Sequence, residues 1–478
     1  MKILLSLAAC GLLIVAAATN VSASHHDMGA QSGPELMCGS YFGSSTDAAK
    51  AVISEDVTEA KMARVFLRRQ GVEGLKALRE VYAGEIKNHL NSPLAPEIVD
   101  AALWAKISTA LDEVSQQHNA WSQGAPLFWH TDIEAARFAA ERDSKPILSL
   151  RLLGKLTDEC SCANSRFFRT AFYANVEVAT FMSSNFTLLW TSERPVPKVT
   201  IDMGDGRVMT CTITGNSAHY LLDAKGRPLD CIPGLYGPVA FTNLLDRGTK
   251  LNAELAGKDD TEFARLLKLH HRARLATVNA ALQDDLAAAG ISTVEIGETE
   301  RVSGDDAEFL RRSGAIPAEV ASRRAMAKEA VERNFFVLLG RIDRSKLEGK
   351  LSAEIWQKLA ALHASECKLD EGSIKLMREQ NPESAAEAST RAMSKMKIEA
   401  PIFRLVRKFE NSIALDTVKN EYLFHARIHE WLASGDVGGF EKFNERIYAE
   451  LFATPANDPW LGLKGDDYTG LKNDGVNR

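Results

Sequence analysis

The chain has 478 residues, enough for two or three domains, with 25% charged and 45% hydrophobic residues and a formal net charge of −6. A slightly acidic balance without a Lys/Arg run excludes the basic footprint of nucleic-acid or membrane-surface binding, so small molecules or other proteins are the expected partners. Its seven cysteines permit disulfides in an oxidising compartment, but their spacing chooses no connectivity among Cys38, Cys211, Cys231 and Cys367.

Met1-Lys2 is followed by an uncharged run over residues 3–18 and by Val21-Ser22-Ala23 ahead of Ser24-His25-His26. This pattern predicts a signal peptide, residues 1–23, cleaved after Ala23. The expectation is an exported, periplasmic or secreted protein with no transmembrane span once the signal is removed. Leu7-Ala8-Ala9-Cys10 offers a different reading, a lipid anchor on Cys10. Cleavage after Ala23 would also place His26 third behind a free amine, a square-planar nitrogen set for copper(II) or nickel(II), against the plainer reading of a polar tail.

Residues 24–124 read as a helical N-terminal region. Apolar residues recur at spacings of three and four, as in Met62, Ala63, Phe66 and Leu67, with breaks at Gly71, Asn91-Ser92-Pro93 and Gln123-Gly124-Ala125-Pro126. Over residues 125–250 the period changes. Thr131-Asp132 opens an amphipathic helix reaching Arg142, and Lys145-Pro146 leads into an apolar run at 147–153, a predicted buried strand. A loop carries Cys160 and Cys162. Helices at 163–174 and 176–183 follow, then a strand at 186–190. Two hairpins are expected, 199–203 with 207–214 about Gly204-Asp205-Gly206, and 218–222 with 228–232 about Asp223-Ala224-Lys225-Gly226. The order helix, strand, cysteine loop, helix, strand, hairpin, helix predicts an α/β layer arrangement. Residues 251–478 read as a long helical domain, with helices at 260–286, 317–342, 353–367 and 384–394 and an extended end at 455–463 around Trp460.

The pair Cys160-Ser161-Cys162 asks for a chemical explanation. Cys162 directly precedes a helix whose free NH groups and dipole favour a thiolate, and Arg166 in the first turn adds to that. Cys160 follows Asp158-Glu159, whose charge opposes its ionisation. A disulfide across a single residue is strained, which makes it easy to reduce.

Residues 129–245 resemble the thioredoxin-like families. The matching features are Lys145-Pro146 before the first buried strand, a cysteine loop followed by a helix, Asn175-Val176-Glu177-Val178 introducing the next helix, and the stretch from Gly215 to Arg227. The resemblance implies a thioredoxin-like central domain flanked by helical N-terminal and C-terminal domains. It places Cys162 at the nucleophile position, Ser165 at that of the resolving cysteine, Cys160 as an extra thiol, and Ser217 at that of the family's cis-proline. The chain thus departs from the family twice, with Cys-x-Cys in place of Cys-x-x-Cys and serine in place of proline.

The expected activity is thiol-disulfide exchange or redox sensing on protein thiols or disulfides, without a cofactor. Cys162 is the nucleophile, Cys160 the resolving thiol, and Ser165, Arg166 and Ser217 complete the site. Two other readings stand beside it. One is a non-catalytic scaffold holding a protein partner through the C-terminal helices. The other is a copper or zinc carrier using Cys160, Cys162 and a histidine such as His219. His425 and His429 lie four apart with Glu421 one turn earlier, a face able to bind metal whose plainer reading is a polar surface. His270-His271, among Lys268, Arg272 and Arg274, reads as a solvated basic face.

Overall fold

A computed structural model describes residues 41–91, 100–212, 217–291, 351–380, 395–435 and 437–458. The predicted signal peptide, Cys10, His25, His26, Cys38, the helices expected at 317–342 and 384–394, and Trp460 lie outside the described residues.

Five helices come first: α1 (Ser45–Ala51), α2 (Val57–Arg69), α3 (Val72–Val81), α4 (Ala83–Asn91) and α5 (Ala101–Ser115). Ser44, Asp56 and Asp100 start α1, α2 and α5 by accepting hydrogen bonds from the free NH groups of the first turn. Leu67, Leu75, Leu78 and Leu111 meet in a hydrophobic cluster of the helices' own. Arg68 and Arg79 tie this bundle to the following chain by donating to the carbonyls of Trp129, and of Ala120, Ser122 and Gly124, while Arg68 also donates to the Val114 carbonyl of α5.

The middle of the chain alternates: β1 (Trp129–His130), α6 (Ile133–Asp143), β2 (Ile147–Leu153), α7 (Ala163–Ala171), α8 (Val176–Asn185), β3 (Thr187–Arg194), β4 (Lys198–Asp202), β5 (Val208–Thr212), β6 (Ser217–Leu222), β7 (Pro228–Pro233) and α9 (Pro238–Leu255). A five-stranded mixed sheet has the order β1-β3-β2-β6-β7, and β4 and β5 form a separate pair. β1 and β2 run parallel to β3, whereas β6 is antiparallel to β2 and to β7. The strand expected at 147–153 has those bounds. The helix expected to reach 174 stops at Ala171, because the NH groups of Phe172 and Tyr173 both close on the Phe168 carbonyl and free Asn175 to cap α8.

The C-terminal part is helical among the described residues: α10 (Asp260–Ala288), α11 (Ala353–Leu362), a 3-10 turn (Ala364–Cys367), α12 (Glu371–Glu379), α13 (Lys395–Lys419), a π-helical stretch (Asn420–His425), α14 (Ala426–Ser434), α15 (Phe440–Arg446) and a second π-helical turn (Ile447–Leu451). The single helix expected at 353–367 breaks at His363 into α11 and the 3-10 turn. No helix among the described residues is long and apolar enough to cross a membrane. One hydrophobic core joins Trp129, Leu150 and Ile232 of the sheet to Ile413, Ile428, Leu432 and Phe443 of the helices.

Gly237 caps α9 where it presses on the 3-10 turn. A Cβ there would lie 2.5 Å from the Glu366 carbonyl oxygen and 2.6 Å from Cys367 Sγ. Gly237→Ala is therefore expected to cost roughly 1–3 kcal/mol. Urea unfolding should show a lower midpoint at unchanged slope. An unchanged midpoint would mean that the turn yields.

Candidate functional site

The cysteine loop leaves the end of β2 and returns to it before α7 begins, since the Cys162 NH donates to the Leu153 carbonyl over 3.2 Å. Cys162 is the N-cap of α7, and its Sγ accepts from the Ser165 NH at 3.4 Å. Ser165 Oγ donates to the Cys162 carbonyl at 2.8 Å and lies 2.6 Å from Ser161 Oγ. The helix start expected at Ala163 is thus made by the sulfur itself. Arg166, exposed on the first turn, reaches across to Thr212 Oγ1 on β5 at 3.0 Å.

Cys162 is fully buried, whereas Cys160 is partly exposed. Both are free thiols, as are Cys231 and Cys367, so the strained Cys160–Cys162 disulfide is not formed here. The buried guanidinium of Arg169 holds the segment before Cys160 by donating to the carbonyls of Asp158 at 2.8 Å and Glu159 at 2.9 Å. Burial lowers its pKa to about 10, which keeps it cationic at neutral pH.

Ser217, the first residue of β6, pairs with Leu152 and so lies at the same end of the sheet as the loop. It is buried, and its hydroxyl has no hydrogen-bond partner. The fold therefore brings Cys160, Cys162, Ser165 and Ser217 to one end of β2 and turns Arg166 outward. His219, two residues on, is buried with Nε2 2.8 Å from the Tyr173 hydroxyl. Burial pushes its pKa down to about 3, so the ring is neutral.

A second cluster lies between β7 and the C-terminal helices. Asp230 of β7 faces His425 Nε2 at 3.1 and 3.2 Å, and His425 Nδ1 lies 2.9 Å from Glu421 Oε2. His429 Nδ1 is 3.9 Å from Asp230 Oδ1 and 2.9 Å from His271 Nδ1, while His271 Nε2 meets the Leu229 carbonyl at 2.8 Å. All three rings are buried. The expected polar surface at Glu421, His425 and His429 is instead packed against the sheet. Likewise His271 belongs to no solvated face, because α10 turns it inward. Burial opposes a charge on His425, yet Asp230 and Glu421 outweigh it and raise the pKa to about 9. Burial lowers that of His271 to about 4. Among the described residues, Asp230, His425 and His429 form the group of three whose potential ligand atoms lie within 4.8 Å of one another; Cys160, Cys162 and His219 form no such group.

Sequence reasoning missed Asp230, His271 and Arg169. Asp230 left a signal, as the lone charge in the apolar strand Pro228-Leu229-Asp230-Cys231-Ile232-Pro233. Arg169 left one too, set in a helix between Phe168 and Phe172. His271 left none, since its neighbours are basic.

No family model matches the chain, and no curated protein or solved structure matches it.

A cavity of about 260 Å³ adjoins the histidine cluster through Glu421 and is also lined by Tyr236, Arg247, Arg274, His363 and Tyr422. Hydrogen bonds from His363 to Asp285 at 2.7 Å and Glu366 at 3.1 Å raise the imidazole pKa from 6.5 to about 10. A raised folded-state pKa contributes stability that is complete below pH 6.5 and is lost as pH climbs through about 10. Urea midpoints measured across that alkaline range should fall in the parent and fall less in His363→Gln; parallel curves would remove His363 as the cause. At the cysteine loop, Arg169→Met is expected to cost roughly 1–3 kcal/mol through two lost charge-assisted hydrogen bonds. It should also speed alkylation of Cys160 in the folded protein, and an unaltered rate would show that Arg169 does not pin the loop.

Proposed function

We propose that residues 125–250 form a thioredoxin-like domain whose Cys160 and Cys162 exchange with protein thiols or disulfides after export. Support for the fold is the succession α6, β2, cysteine loop, α7, α8, β3, the β4–β5 pair, hairpin β6–β7 and α9, a mixed α/β arrangement of the kind read from the order of predicted elements. The observation that carries the chemistry is a sulfur at a helix N-cap, accepting a backbone NH, with a second, partly exposed thiol two residues upstream. Ser217, with its unpartnered hydroxyl, stands at the same sheet end.

Burial reverses the order of action expected from the sequence. Cys162 is closed off, so the thiol that a substrate meets is Cys160. In the exchange, the Cys160 thiolate attacks one sulfur of a substrate disulfide and releases the other as a thiolate. Cys162, its proton passing to the released thiolate, then attacks the Cys160 sulfur, forming the Cys160–Cys162 disulfide and releasing the second substrate thiolate. Two protein thiols are oxidised and one disulfide is reduced, with two protons passing to the released thiolates. The Ser165 NH at the start of α7 donates to the Cys162 sulfur, and the Arg169 cation interacts electrostatically with it.

The complete burial of Cys162 in the core favours a second reading, a thioredoxin-fold scaffold without exchange. Trapping separates the two. With a disulfide-bonded protein as substrate, Cys162→Ser should accumulate a mixed disulfide through Cys160, and Cys160→Ser should trap none. Mass mapping of alkylated, reduced, folded protein should find Cys160 modified first. If neither thiol reacts until denaturant is added, exchange is ruled out and the scaffold reading stands.

A further inference from the structure

The cavity of about 260 Å³ is framed by one face each of several helices. Ala240, Leu244 and Arg247 of α9 and Arg274, Val278 and Ala281 of α10 line it at helical spacings of four and three. Val418, Glu421 and Tyr422 of α13 and the π-helical stretch line it too, as does Tyr236 just before α9. The acceptors in this wall already have partners, since Glu421 faces His425 Nδ1 at 2.9 Å and Glu366 faces His363 Nδ1 at 3.1 Å. Its donors do not. Arg247 makes no hydrogen bond or ion pair among the described residues, although its charge acts on Glu421. Arg274 comes no nearer to Glu421 than 3.9 Å, beyond hydrogen-bond reach. The Tyr236 hydroxyl is buried without a partner. Donors left unpaired around one cavity call for an acceptor inside it.

We propose that this cavity binds a small monocarboxylic acid with an apolar body, its carboxylate accepting hydrogen bonds from Arg247, Arg274 and Tyr236. The planar fork of a guanidinium matches a carboxylate. Arg247 opposes the charge on Arg274, and an anion beside both offsets that repulsion. Leu244, Val278 and Val418 supply an apolar wall for the rest of the molecule. The volume lies just under the range of about 300–1,000 Å³ usual for drug-sized ligands, so the occupant is smaller than those. Glu366 and Glu421 in the same wall repel a dianion such as phosphate more than a carboxylate of single charge. Asn243 and Thr277 also line the cavity and are exposed, which opens it to solvent between α9 and α10. No residue of the cysteine loop lines it, so the site stands whether or not the thiols exchange.

The test titrates the folded full chain with phenylacetate and hexanoate by calorimetry, beside phenylacetamide, hexanamide and inorganic phosphate. One site per chain is expected for at least one acid, bound about tenfold or more tighter than its amide. Arg274→Gln should weaken that binding by roughly 10–100-fold. Tyr236→Phe removes only an unpartnered hydroxyl, so it should unfold at the same or a higher urea concentration and yet bind the acid about tenfold more weakly. Exposed Arg272→Gln, also on α10 but outside the cavity, should bind as the parent does. Folded parent that binds neither acid at about 1 mM overturns the site. So do amides that bind as well as the acids, phosphate that displaces the acid at equal concentration, and parental affinity in both Tyr236→Phe and Arg274→Gln. Should Arg274→Gln fail to fold, Tyr236→Phe and the comparison of acid with amide still decide.

Discussion

β2, β6 and β7 stand side by side, and none of their residues is exposed. A sheet apolar on both faces is stable only when both are covered, and helices are the usual cover. The C-terminal helices meet that demand, which is why their core is continuous with the sheet's. The same demand carries polar groups inside, where each needs a partner. Arg151 of β2 finds Glu193 of β3 at 3.0 Å and Glu441 of α15 at 2.5 Å, with its guanidinium over the Phe440 ring. Asp230 of β7 finds three histidines.

What was legible beforehand was local. The strand at 147–153, the caps at Asp132 and Asn175, and the two hairpins are written in contiguous residues whose preferences agree with the final structure. β1 is the opposite case: two residues make it a strand only because Trp129 and His130 pair with Leu188 and Leu189 of β3. The spacing of Glu421, His425 and His429 was visible, but not what they face. A polar stripe on a helix looks the same whether it meets water or a buried carboxylate 195 residues away in the chain. The π-helical widening at Asn420–His425 also carries no compositional mark, although it belongs to the stretch that aims His425 at Asp230.

The cysteine site divides in the same way. That Cys162 would begin a helix follows from the residues after it, and Sγ does cap α7. That the sulfur would be covered does not follow, because the covering side chains come from elsewhere. Tyr173 and Tyr448 are both buried, and a charge on Cys162 would act on each. Phe167, one turn along α7, stacks on Phe409 of α13 with ring centroids 4.5 Å apart. The sequence places helices on either side of this region, but not over the sulfur; the packed helices supply that cover.

Access to Cys162 is therefore a property of the helical cover. Arg194 at the end of β3 donates to the carbonyls of Thr454, Pro455 and Asp458 and holds the chain after the second π-helical turn against the sheet. Arg151 holds α15 beside it through Glu441. Local opening must break such contacts together, and its free energy sets how often a covered group meets solvent. Cys160 needs no such event. In the proposed exchange the first step depends on Cys160 alone, and the second runs inside the protein between sulfurs two residues apart in the chain. Covering Cys162 thus does not by itself prevent exchange. It removes Cys162 from direct encounter and leaves its reaction with Cys160 intramolecular.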